Sequence, residues 1–238
     1  MKLQWLGDIK DVFKFGVCLT VMKCLELEEL LWVMMLTDNE KKDPYDALPC
    51  VPKDLRTFLY KSRYKQITEK ELDKFKNQLE KQIKKEYSPR ACITLVKDRF
   101  DKETNRTNYF NKVKNKMDSK KRMLVLIDPD TGFEPKKVNH EHVKYEEVKE
   151  VFETMNDQSV LAVFQTMRRE GYEKTACNII NYDKFEANFN KNKCLCIYAR
   201  KAHALIFLFF KNDKFKSKMI EYIKSIKCLK YISAEECS

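Results

Sequence analysis

The chain has 238 residues, 43% of them hydrophobic and 35% charged, with 47 basic and 36 acidic side chains and a net charge of +11. That length buries one sizeable core and is read as a single domain over residues 1–238. The apolar run "ALIFLFF" at 204–210 is far too short to span a membrane, and Asp8, Lys10, Asp11 and Lys14 interrupt the beginning in a way that argues against a secretory signal.

The basic surplus favours phosphate-rich polymers or anionic surfaces as partners, and nucleic acid is the expectation carried forward. "YKSRYK" at 60–65 places aromatic and basic side chains together, as stacking on bases and contact with phosphate would require. The nine cysteines are irregularly spaced and odd in number. Reduced thiols in an intracellular, cytoplasmic setting are therefore expected. Cys194 and Cys196 lack a second cysteine pair, which leaves isolated thiols ahead of zinc. Charge and spacing fix no oligomeric state.

In chain order, residues 11–30 predict a helix against the core, and "LLWVMML" at 30–36 an inner strand ending in the polar turn "TDNE". Pro44, Pro49 and Pro52 favour an extended or folded connection. Residues 68–87 are the clearest helix: Thr68 and Glu71 resemble a capping box, and Leu72, Phe75, Leu79 and Ile83 repeat on one face. The segment 43–88 is thus read as a helical insertion. Strands follow at 91–96 and 123–127, the latter after a charged helical connection, then a helix at 145–155 and a strand at 159–165. A helix-rich stretch at 171–190 precedes a hairpin of 194–199 with 203–210, covered by a helix at 212–225. The pattern is that of an α/β protein, a Rossmann-like three-layer sandwich with a mostly parallel central sheet and a C-terminal antiparallel hairpin.

"LVLIDPDTGFEP" at 124–135 runs from a buried strand into a dense polar corner. Asp128, Asp130 and Glu134 lie past the C-terminal end of that strand, the usual ligand-facing side of a parallel sheet. They either cap an ordinary turn or hold Mg²⁺ or Mn²⁺ and orient phosphate, with Glu134 read on its own as a solvated surface carboxylate. Pro129 and Gly132 would fix the corner. Asp8, Asp11 and Lys14 form a second cluster: Asp8 could cap the first helix, with Asp11 and Lys14 paired on one face, or the two carboxylates could complete an acidic site. His140, His142 and His203 are read as structural.

"GDIKDVFKFGVCL" at 7–19, "LLWVMMLTDNE" at 30–40, "LVLIDPDTGFEP" at 124–135 and "VKYEEV" at 143–148 together resemble an uncharacterised family marked by D-P-D-x-G-x-E. That family is similar to class I methyltransferase-like Rossmann folds, especially enzymes that modify adenine in ribosomal RNA. The resemblance implies a polar pocket built from Asp8, Asp11, Lys14, Asp38, Asp128, Asp130, Gly132, Glu134, Lys144 and Tyr145. Asp128-Pro129-Asp130-Thr131 stands where those methyltransferases carry D-P-P-Y/F, which binds the adenine amino group and stacks on the base. Thr131 offers no aromatic platform, the stretch after 30–36 has no glycine-rich loop for S-adenosylmethionine, and Gln165 stands where related sequences often carry histidine.

The leading expectation is a metal-dependent nucleic-acid-processing enzyme, a phosphodiester hydrolase. Asp8, Asp11, Asp128 and Asp130 would hold the ions, and Lys14 or Lys144 would steady the phosphate. Asp38, Gly132, Glu134 and Tyr145 would complete the ligand pocket. The alternative is S-adenosylmethionine-dependent adenine methyl transfer, or a nucleic-acid-binding module without catalysis.

Overall fold

The computed structural model describes residues 8–36, 69–87, 90–136 and 139–237. Asp38, the 60–65 segment, the three prolines of 44–52, Thr68 and the side chain of Glu71 lie outside them, so the insertion is described only from 69 to 87.

A seven-stranded sheet forms the middle layer. Its strands are β1 (Glu29–Met34), β2 (Cys92–Val96), β3 (Met123–Asp128), β6 (Val160–Thr166), β7 (Cys194–Tyr198), β8 (Ala204–Phe210) and β9 (Lys230–Ile232). The spatial order is β2-β1-β3-β6-β8-β7-β9. The first four are mutually parallel, and β8 runs antiparallel to both β6 and β7, so β7 regains the parallel direction. β9 adds a further antiparallel edge. β4 (Gly132–Phe133) and β5 (His142–Val143) make a separate two-stranded parallel ribbon.

Helices cover both faces of the sheet, which is why its central strands read as unbroken apolar runs. Every residue of β1 and of β3 is buried. On one face, α1 (Ile9–Leu25), α2 (Glu69–Glu86) and α7 (Asp213–Lys224) pack against Leu30, Trp32, Leu124, Leu126, Ala162 and Ile206. On the other, α3 (Arg106–Asn115), α4 (Tyr145–Thr154), α5 (Tyr172–Ile180) and α6 (Asp183–Asn188) cover Leu31, Val33, Val125, Ile127, Val163 and Phe207. The alternation of neighbouring strand residues between the two cores is the period-two geometry of a pleated strand. The chain is a Rossmann-like α/β sandwich, as its periodicities predict.

Three local expectations are corrected. The first helix begins at Ile9 and stops at Leu25, short of residue 30, because Glu26 turns into the left-handed region (φ +55°). The chain then extends into β1. Glu134 is not a solvated carboxylate but 2% exposed. The thiols are not all reduced: Cys177 on α5 and Cys237 in the terminal 3₁₀ turn form a disulfide across a separation of 60 residues, with Asn181 Nδ2 donating to the Cys237 carbonyl at 2.8 Å. Among the described residues, no helix is long and apolar enough to cross a membrane.

Candidate functional site

The chain passes from β1 outward to β2, then returns to the far side of β1 for β3. This reversal makes the C-terminal ends of β1 and β3 a topological switch point, the place where open α/β sheets receive ligands. Met34 and Asp128 face each other in register at that end.

Lys14 links the two sequence clusters predicted above. α1 is buried over most of its circumference, with 13 of its 17 residues in the interior, so Lys14 projects into the protein and not into water. Its Nζ donates to Asp11 Oδ1 at 2.7 Å and to Asp128 Oδ2 at 2.6 Å. The ammonium also lies 4.9 Å from the centre of the Phe164 ring. Such contacts between a cation and a ring face add to the pairing. Trp32 on β1 donates its Nε1–H to the same Asp128 Oδ2 at 2.8 Å. Asp128 is 1% exposed, and among the described residues its Oδ1 has no hydrogen-bond partner.

Asp8 completes the cluster from the start of α1. Its Oδ1 accepts from the backbone N–H of Lys10 at 2.8 Å and of Asp11 at 3.0 Å, satisfying two of the amides that a helix start leaves open. Asp8→Ala should therefore cost about 1 kcal/mol in chemical unfolding, whereas Asp8→Asn should cost much less because the amide oxygen still caps. Equal losses in the two variants would count against the cap.

Burial pushes the Asp11 carboxyl up from its ordinary 3.8 to about 6; Lys14 opposes the rise, and the charges of Asp8 and Asp128 add to it. Asp8 is raised too, chiefly by burial. A carboxyl with a raised folded-state pKa holds its proton more tightly folded than unfolded. Stability is thus greatest below 3.8 with respect to this group and is lost as pH climbs through about 6. Asp11→Asn should flatten that decline in the urea midpoint across the window; an unchanged slope would refute the assignment.

Other predicted site residues fall elsewhere. Asp130, half-buried in the bend after β3, is not a partner of Lys14. Glu134 accepts from the Tyr145 amide at 3.3 Å, at the start of α4, and pairs with Lys184 on α6 at 3.2 Å. It fastens the corner to the helical layer. Tyr145 is buried in the aromatic core, stacked on Phe133 at 4.8 Å with 11° between the planes. Lys144 precedes α4, and its amide donates to Glu147 Oε2 at 2.9 Å. Glu147 in turn takes a two-pronged contact from Arg106 at 2.5 and 2.6 Å.

Gly132 has φ +125°, and a Cβ added there would lie 2.1 Å from Gln165 Oε1. Gln165 fills that space to bind the corner: Oε1 accepts from the Phe133 amide at 2.9 Å, while Nε2 donates to the carbonyls of Thr131 at 3.0 Å and Thr166 at 2.8 Å. Thr131 turns its hydroxyl to the Glu141 carbonyl at 3.0 Å. Trp32 is a site-building residue that sequence reasoning missed, and Gln165, noted there only for standing where related sequences carry histidine, builds the corner in a way the sequence did not show. A lone tryptophan in an otherwise aliphatic strand run was the available signal for the first.

Lys14 places between Asp11 and Asp128 the positive charge that the sequence analysis assigned to a divalent ion. Among the described residues, no three His, Cys, Asp or Glu side chains gather in a way that could hold a metal ion.

No family model and no curated protein matches the chain.

Proposed function

We propose that the protein binds single-stranded nucleic acid and receives an amino-bearing base, adenine by class, at Asp128. The observation that carries this reading is the divided state of that carboxylate. Lys14 and Trp32 hold one oxygen, while Oδ1 keeps its lone pairs without a donor among the described residues. A buried acceptor left unmatched costs about 1–3 kcal/mol, and an N–H of the ligand removes that cost. The fixed oxygen sets the orientation of the free one, so little rotational freedom is lost on binding.

The resemblance of Asp128-Pro129 to the opening of the adenine methyltransferases' D-P-P-Y/F motif supports the same ligand class. It also supports a second reading, methyl transfer from S-adenosylmethionine to that amino group. The stretch after β1 in which a cofactor loop is sought, 37–43, lies outside the described residues. Thr131 is committed to the corner's hydrogen bonds, so base stacking falls to another side chain under either reading.

Binding of single-stranded oligonucleotides that carry adenine, compared with the same sequences carrying unsubstituted purine, tests the proposal. Loss of the amino group should weaken binding by about tenfold or more, the discrimination of a site built around a hydrogen-bonding group. Equal affinity would overturn it. Methyl incorporation from S-adenosylmethionine would make the protein an enzyme of the second reading, and binding without incorporation a module. Cleavage of the oligonucleotide with Mg²⁺ or Mn²⁺ would favour the hydrolase expectation over both.

A further inference from the structure

Beside the corner, two loops meet at the same edge of the sheet. β6 ends at Thr166 and β7 at Tyr198, and register pairs both with the first residues of β8: Thr166 with Ala204, Tyr198 with Leu205. The Met167 amide donates to the His203 carbonyl at 3.0 Å, and Tyr172 donates its hydroxyl to the Arg200 carbonyl while accepting from the His203 amide at 3.2 Å. The loops 167–171 and 199–203 are therefore one surface. Thr166 also donates, through its amide at 3.0 Å and its hydroxyl at 2.8 Å, to the Thr131 carbonyl, which joins this surface to the Asp128 corner.

That surface carries Arg168, Arg169, Arg200 and Lys201, the last two and Arg169 exposed. Three of the chain's nine arginines are thus placed at one edge. Among the described residues none of these four side chains forms an ion pair. Several exposed lysines elsewhere are committed to carboxylates, as in Lys97–Asp73, Lys112–Asp98 and Lys84–Glu80. The acidic residues of the same stretch are engaged by their own neighbours: Glu173 accepts from the Tyr198 hydroxyl at 2.7 Å and Glu170 from Asn178 at 3.4 Å. Tyr172, half-exposed and stacked on Tyr198 at 5.0 Å, sets an aromatic ring among the cations. Unpaired guanidinium forks match phosphate oxygens in planar, two-pronged contacts, and an aromatic ring serves a base of any identity.

We infer that the rim formed by the loops after β6 and β7 receives the sugar–phosphate backbone of a single-stranded nucleic acid, with Arg169, Arg200 and Lys201 on its phosphates. The inference rests on the nucleic-acid reading above and adds where the strand runs: past the ends of β6 and β7, toward the Asp128 corner. Single strands fit because a base must leave its stack to reach a buried carboxylate.

The test compares the full chain with two triple variants of equal charge change. One is Arg169→Gln, Arg200→Gln, Lys201→Gln. The other is Lys120→Gln, Lys214→Gln, Lys218→Gln, whose exposed lysines lie at or within a turn of the opposite edge, before β3 and after β8. Affinity for labelled single-stranded RNA and DNA is measured over a salt series. The rim variant should lose about tenfold or more in affinity at low salt, and its log–log salt slope should fall by about 2, three phosphates at ~0.7 each. The opposite-edge variant should keep the parental slope. Equal losses in both variants, or an unaltered slope in the rim variant, would overturn the inference while leaving nucleic-acid binding intact. Failure of the parental protein to bind either polymer would overturn both.

Discussion

Lys14→Met should lower the free energy of unfolding by about 3–5 kcal/mol at neutral pH, measured by urea titration. The substitution keeps length and apolar bulk but removes the cation that both Asp11 and Asp128 contact. In a site this dry, the loss is dominated by stranded charge rather than by the worth of two hydrogen bonds. The effect should shrink as pH falls, since Asp11, whose carboxyl Lys14 no longer holds down, then takes up its proton and one of the two charges disappears. Adding Asp11→Leu to Lys14→Met should recover part of the loss, because neighbours in one network do not add. A loss under about 1 kcal/mol at neutral pH would mean that the lysine does not bridge the two carboxylates.

Gly132→Ala should cost about 3 kcal/mol, read from the shift in denaturant midpoint. Two penalties combine. A side chain at φ +125° is strained whatever surrounds it, and the new Cβ would sit inside the Gln165 amide. Moving Gln165 aside surrenders its bonds to Phe133, Thr131 and Thr166. The Gln165→Ala background separates the terms: it removes the collision but not the backbone strain, so Gly132→Ala should cost less there, yet still something. Full additivity of the two substitutions would contradict the packing described.

The layers were legible because both sheet faces are covered, which turned β1, β3 and β8 into uninterrupted apolar runs bounded by polar turns. Leu72, Phe75, Leu79 and Ile83 announced α2 by spacing and all four are buried. The pairing of Asp11 with Lys14 was legible from their spacing of three, but the lysine's bond to Asp128 was not: the two stand 114 residues apart, and only the fold makes them neighbours. Glu134 was misjudged for the same reason, since its partners Tyr145 and Lys184 come from separate helices. The two-residue strands β4 and β5 are too short for any periodicity, and a cysteine pair 60 residues apart has no local spacing to reveal it.

The placement of β8 has a bearing on biosynthesis. β6 shares seven register pairs with β8, Val160 with Phe210 through Thr166 with Ala204, and none with β7, which the ribosome delivers first. Until residues 204–210 emerge, the apolar edge of β6 waits without its neighbour, a surface on which nascent chains can associate. Completion of the sheet is therefore deferred until residues 204–210 are translated, and a product released before residue 204 would be prone to aggregate.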